Sequence, residues 1–188
     1  ILHALQEKNY AVIDLERLAH HKGSAYGAIG QLPQPSQEMF ENIVAEKLFE
    51  VNKKQKSIWI EDESQRIGTN MLPITFFKNI RNSICYFIDI PFEARLQFIV
   101  AAYGKFPIAD LIAATLRIQK RLGGLETKTA VNCLVENNIE AAFTILLKYY
   151  DKVYLKNIET AAIPKLKIEK LEAPGVNPIQ NAGLFMHL

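Results

Sequence analysis

Three short apolar runs constrain this chain more than anything else in it: AVIDL at 11–15, SIWIE at 57–61 and ICYFIDI at 84–90. A strand with one face in water alternates apolar and polar residues. These runs are continuous, so each reads as a strand covered on both faces, as in parallel sheets flanked by helices. The segments between them supply the covers. PSQEMFENIVAEKLFEVNKK sets Ser36 as an N-cap ahead of Met39, Phe40, Ile43, Val44, Leu48 and Val51 at helical spacing. LPITFFKNIRNS predicts a shorter helix that starts near Pro73. This alternation predicts right-handed crossovers and one parallel sheet, with Ile13, Ile58 and Ile88 in neighbouring strands and helices 36–52 and 92–104 packed on it.

Beyond residue 91 the pattern turns helical: PFEARLQFIVAAYGK, PIADLIAATLRIQKRLGG, ETKTAVNCLVENN and IEAAFTILLKYYDKVYL. Gly104 and Pro107 separate the first two, and Gly123 and Gly124 close the second. The last stretch has three prolines and no helical period; KLKIEKL suits a short edge strand, but the segment as a whole reads as a loosely structured tail. The expected organisation is an α/β part over 1–98, a helical part packed on it over 99–160, and the tail over 161–188. At the other end, Ile1, Leu2 and Leu5 share a helical face and Asn9 suits a helix end, but no Ser, Thr or Asp precedes as a cap. A helix leading into a buried parallel strand usually follows an earlier strand, so one is expected upstream.

Composition excludes little. A net charge of +2 neither favours nor disfavours nucleic acid, so any anion-binding surface must be local. Cys85 and Cys133 lie in apolar surroundings, where a thiol is inert packing, and two cysteines make neither a disulfide framework nor a zinc ribbon. No apolar run approaches the ~20 residues that span a bilayer, and ILHALQEKN does not read as a signal peptide. The expectation is a cytoplasmic protein with no membrane contact.

Ligands of open parallel sheets gather outside the carboxyl ends of the strands. Two polar clusters fall there. The first runs from Asp14, Glu16 and Arg17 to HHKGS (20–24). Adjacent histidines point in different directions, which disfavours His20 and His21 as joint metal ligands. Lys22, Gly23 and Ser24 offer a cation, a permissive backbone and a hydroxyl, which suits a phosphate, although an ordinary polar turn has the same composition. The second cluster is EDESQRIG, with Glu61, Asp62, Glu63, Ser64 and Arg66. An apolar strand ending in acids is how nucleotide-binding sheets hold Mg²⁺, and Glu61 and Glu63 share a side of an extended chain. Arg66 can instead pair with one of these acids. The chain contains no GxxxxGK[ST] phosphate loop.

VIDLERLAHHKGSAYG, QPSQEMFEN and EDESQRIG with LP just after, followed by PFEAR, RLGG and LLKYYDKVY, together resemble the C-terminal P-loop NTPase-like domain of bacterial tRNA 2-selenouridine synthases, over residues 1 to about 154. The pattern expected from that family is D-L-E-G-L-A-N-H-R-G-S; here Arg17 stands for the glycine, His20 for the asparagine and Lys22 for the arginine.

The resemblance implies a P-loop NTPase-like parallel sheet followed by a helical part, with a Walker A loop and an N-terminal rhodanese-like domain upstream, and a chain inactive without them. It implies tRNA as partner and a transferase that turns wobble 2-thiouridine into 2-selenouridine with selenophosphate, through an S-geranylated intermediate made from geranyl diphosphate. The candidate phosphate- and substrate-binding set is Asp14, Glu16, His21, Lys22, Gly23, Ser24, Ser36, Gln37, Ser64, Arg66 and Arg95, with Glu61 and Glu63 as catalytic or Mg²⁺-binding candidates. The same strand-end acids would serve ATP and Mg²⁺ in a small-molecule kinase or NTPase. A non-catalytic partner-binding domain is the third reading.

Overall fold

The computed structural model describes residues 1–52, 57–160 and 167–186, with the side chains of all but 157–160. It divides into two compact units. Of the described residues, the first holds 1–52, 57–87, 167–171 and 177–186, and the second holds 88–160 and 172–176.

The first unit opens with helix α1 (Leu2–Glu7), which buries Ala4 and Leu5. Strand β1 (Val12–Ile13) is only two residues long because Asp14 turns the chain at once into helix α2 (Leu15–Ala19), its side chain accepting the Arg17 N–H at 2.8 Å. Helix α2 ends at His20 in the left-handed conformation. Helix α3 (Gln37–Asn52) is capped as its sequence predicts, with Ser36 Oγ accepting the Met39 N–H at 3.2 Å. Strand β2 (Trp59–Ile60) then lies parallel to β1, Val12 beside Trp59 and Ile13 beside Ile60. Strands β3 (Arg66–Ile67) and β4 (Asn70–Met71) make a small antiparallel hairpin, and helix α4 (Ile74–Arg81) starts after Pro73.

One core holds these elements. Phe40, Val44 and Val51 from α3 are buried with Ala11, Ile13, Leu15, Ala19, Ile67 and Leu72, and Ile58, Ile60 and α4's Phe76, Phe77 and Ile80 pack against them. The four-residue step from Phe40 to Val44 is the helical period put to use.

Strand β5 (Ile84–Asp89) leads into the second unit's helices: α5 (Phe92–Tyr103), α6 (Ile108–Arg117), α7 (Gln119–Leu122), α8 (Gly124–Val135) and α9 (Ile139–Thr160). Leu111, Ala114, Ala130, Leu134, Ala142 and Leu146 form its interior. Arg95 on α5 grips Asp151 on α9 with both terminal guanidinium nitrogens, at 2.6 and 2.9 Å.

Two expectations need correction. The third apolar run is a strand, but among the described residues β5 pairs with β6 (Lys167–Glu172) and not with β1 or β2. The single three-stranded parallel sheet is therefore a parallel pair, β1–β2, and a separate pair, β5–β6. An apolar run does not state which strand it will pair with, and β5 is in fact the less covered strand: none of its residues is fully buried and Ile84 is 46% exposed. The loose tail is also replaced, over 167–186, by β6 and helix α10 (Pro178–Gly183), whose first N–H groups Asn177 caps. Phe185 then packs edge-on against Trp59 and Tyr86, with ring centroids 5.0 and 5.9 Å away.

The core makes a direct prediction. Phe40 is fully buried and Phe49, on the same helix, is 66% exposed. In urea unfolding, Phe40→Ala costs about 3–5 kcal/mol and Phe49→Ala stays within about 0.5 kcal/mol. Similar losses for the two would contradict the orientation of α3.

Candidate functional site

The carboxyl ends of β1 and β2 meet at the start of α2. Ile60 ends β2, and the next residue, Glu61, reaches across to the first turn of α2. Its Oε2 accepts the Leu15 N–H at 2.9 Å and its Oε1 the Glu16 N–H at 3.4 Å. Asp14 takes the Arg17 N–H. The first three N–H groups of the helix, which no helix can satisfy internally, are thus met by two carboxylates from neighbouring strand ends.

These carboxylates lie close together. The Glu61 carboxyl is raised to about 8, mainly by burial and next by a hydrogen bond to Asp14, against the pull of the Leu15 N–H. Burial likewise lifts Glu16 to about 7, helped by the charge of Glu63 and a hydrogen bond to it, while Lys22 pulls the other way. Glu63 is raised too, mainly by burial. Burial and the neighbouring acids thus favour the protonated form of Glu16, Glu61 and Glu63 over that of a solvent-exposed carboxyl.

The HHKGS turn closes around Glu63. Gly23 has a φ of +66°, and a Cβ there would overlap the Glu63 carboxylate, so only glycine fits both the backbone and its neighbour. Ser24 organises the turn: its Oγ accepts the Tyr26 N–H at 3.2 Å and its carbonyl the Gly27 N–H at 2.9 Å. Lys22 is exposed. His21, expected among the anion contacts, is buried. It is 8% exposed, and its ring lies against Gly27 and Gly68, where a Cβ would come within 2.7 Å of it.

Asp14, Glu16, Lys22, Gly23, Glu61 and Glu63 therefore come together, and the remaining candidates do other work. Ser36 spends its hydroxyl on the α3 cap. The Gln37 amide clasps the backbone of Met71, donating to its carbonyl and accepting its N–H, both at 2.8 Å, like an added β-bridge. Ser64 donates to the Arg66 carbonyl at 2.6 Å, and Arg66 Nε donates to the Gly68 carbonyl at 2.9 Å, so Arg66 folds onto its own hairpin and pairs with none of the acids, contrary to one expectation. Asp62 instead pairs with Arg81 at 3.0 Å. Arg95 belongs to the second unit, and Asp151 occupies its fork.

Two residues that sequence reasoning passed over hold the site's wall. The Gln34 amide donates to the carbonyls of Ala19 and Ile67, both at 3.0 Å, and its oxygen accepts the Thr69 N–H at 2.8 Å. Asn70, 1% exposed, accepts from Gln34 at 2.9 Å and donates to the Pro35 carbonyl at 3.1 Å. The signal for Asn70 was its place after Gly68 in a hairpin turn; nothing local marked Gln34.

The pH dependence follows from the direction of these shifts. Glu16 and Glu61 have folded values above their ordinary 4.5, so their contribution to stability is complete below pH 4.5 and is lost as pH rises through about 7 and 8. Melting temperature should fall between about pH 6 and pH 9. Glu61→Gln keeps an oxygen for the Leu15 N–H and gains a donor for Asp14. It should flatten the profile and raise Tm at about pH 9 by about 2–4 °C, the effect of ~1 kcal/mol in a domain of this size. A wild-type Tm that rises with pH would contradict these raised values.

The pattern of the family described as tRNA 2-selenouridine synthase AAA domain matches residues 1–169. A tRNA 2-selenouridine synthase of Shewanella piezotolerans is 32% identical over 180 residues, covering 80% of this chain and 49% of that protein. Its namesake in Nitrosomonas eutropha is 33% identical over 125 residues, covering 65% of this chain and 31% of the relative. That of Shewanella frigidimarina is 32% identical over 78% of this chain and 48% of its own length. The chain thus spans half or less of these curated relatives. No solved structure matches it. With the family pattern running from α1 through both units and relatives alike over four-fifths of its length, this chain belongs to the tRNA 2-selenouridine synthase AAA domain family.

Proposed function

We propose that this chain is the phosphate-handling part of an enzyme that converts wobble 2-thiouridine in tRNA to 2-selenouridine with selenophosphate, through an S-geranylated intermediate made from geranyl diphosphate. The observation that carries this reading is the convergence of Lys22, Gly23, Glu16 and Glu63 at the carboxyl ends of two parallel strands, where sheets of this kind take their ligands.

The residues divide the work by charge. Lys22 contributes a cation to the diphosphate, and the turn held by Ser24 sets the direction of the backbone N–H groups beside it. Asp14 and Glu61 are committed to the α2 N–H groups and act as positioning residues. Glu16 and Glu63 are the chemically available pair: with Glu16 raised to about 7 and Glu63 raised beside it, a proton held there can be given to a leaving group or released when a cation arrives.

Among the described residues no group of three or more His, Cys, Asp or Glu side chains is arranged to hold a metal ion. Mg²⁺ delivered on a diphosphate needs only one or two carboxylates from the protein. Glu16 and Glu63 would hold it, and its chemistry there is to neutralise charge on a departing diphosphate. A cytoplasmic place for the enzyme fits this reading; no helix among the described residues is long and apolar enough to cross a membrane.

Lys22 provides the test. A charge-assisted contact contributes roughly 1.5–3 kcal/mol, so in the full-length enzyme Lys22→Ala weakens diphosphate or tRNA binding about 10- to 100-fold. Lys22→Arg binds at least as well as the parent. Glu63→Ala leaves the fold intact and lowers the rates of selenation and geranylation. Unchanged affinities in the alanine variant and unchanged rates without Glu63 would return both clusters to polar loops.

A further inference from the structure

The second unit contains a positive recess that the proposed function leaves unused. Between residues 117 and 128 stand Arg117, Lys120, Arg121 and Lys128 against one acid, Glu126. This stretch carries a local charge of +3 where the whole chain carries +2. It covers the end of α6, all of α7 and the first turns of α8. These helices enclose an open recess of about 600 Å³. Lys120 comes to it from α7 and Lys128 from α8, Gln119 adds an amide, and Leu116 and Val131 give it an apolar floor.

Among the described residues no carboxylate lines this recess. Glu126 bends back over Gly123, where a Cβ would meet its Oε2 at 2.6 Å. Among the described residues neither Lys120 nor Lys128 has an ion-pair partner. Two ammonium groups around one recess raise each other's energy unless an anion joins them. The recess is open, and its cations sit on two different helices, which suits a strand passing through better than a small molecule enclosed. Lysines act as point charges without base preference, the requirement for gripping a backbone while another site does the chemistry.

We infer that this recess binds the phosphodiester backbone of the tRNA substrate, Lys120 and Lys128 meeting phosphates while Leu116 and Val131 lie under a ribose. The inference rests on the proposed tRNA-modifying function and adds a docking surface in the helical unit, distinct from the Lys22 cluster.

The experiment is a fluorescence titration of the full-length enzyme with a tRNA transcript at about 50 and about 200 mM salt, alongside inorganic diphosphate. Lys120→Ala/Lys128→Ala should lose about 10-fold or more in tRNA affinity, and the slope of log affinity against log salt should shrink by roughly 1.4–1.8, the value for two phosphate contacts. Diphosphate affinity should not change. Lys120→Arg/Lys128→Arg should bind as the parent does. Lys8→Ala/Lys78→Ala, which removes two exposed charges from the first unit, should stay within about 2-fold. If the recess variant binds tRNA like the parent, or no worse than Lys8→Ala/Lys78→Ala, the inference fails and the function stands. Parallel losses of diphosphate affinity would make the recess a small-anion site and overturn it as well. A parent enzyme that does not bind tRNA at all would overturn the function and this inference together.

Discussion

The hydrogen bonds from the first N–H groups of α2 to Glu61 are the constraint on which the candidate site depends. β1 is two residues long and β2 is two residues long, too little ladder to fix their ends by backbone pairing alone. Glu61 supplies the missing tie. It carries the end of β2 to the start of the helix that follows β1, and so sets Asp14, Glu16 and Glu63 within reach of one another. The arrangement has an electrostatic cost, since carboxyl groups crowd together away from water and hold protons that solvent-exposed acids would have lost. Such protons leave when a cation or a more basic group arrives.

Behind this cluster the structure is stiffened by amides. Gln34 joins Ala19, Ile67 and Thr69; Gln37 joins both polar backbone groups of Met71; Asn70 joins Pro35. These bonds tie the loop before α3 to the β3–β4 hairpin. With His21 laid against Gly68, they give the Lys22–Ser24 turn a fixed wall. The second unit has its own fastening in the bidentate Arg95–Asp151 pair between α5 and α9.

Much of this was legible locally. Phe40 and Val44 declare the buried face of α3, Ser36 declares its cap, and the continuous runs of β1 and β2 declare a parallel pair. The failures have physical reasons. ICYFIDI looks buried because its residues are apolar, but its partner, KIEKLE, lies roughly eighty residues further on, and no local pattern states which strands will pair. The five-residue helix LERLA is too short to show a period, so the stretch after Asp14 read only as a polar cluster. Arg95 had the chemistry of a phosphate ligand, and only the fold reveals that Asp151 already occupies it. Nothing in EDES marks Glu61 as the cap of a distant helix or Glu63 as the neighbour of Glu16.

The most direct measurement follows the side-chain carboxyl carbon shifts of Glu16, Glu61 and Glu63 by NMR as a function of pH, together with the amide protons of Leu15 and Glu16. The account predicts that Glu61 titrates near 8 and Glu16 near 7, with the Leu15 amide shifting in step with Glu61. Three carboxyl groups that all titrate near their ordinary 4.5, with a Leu15 amide indifferent to pH, would contradict it.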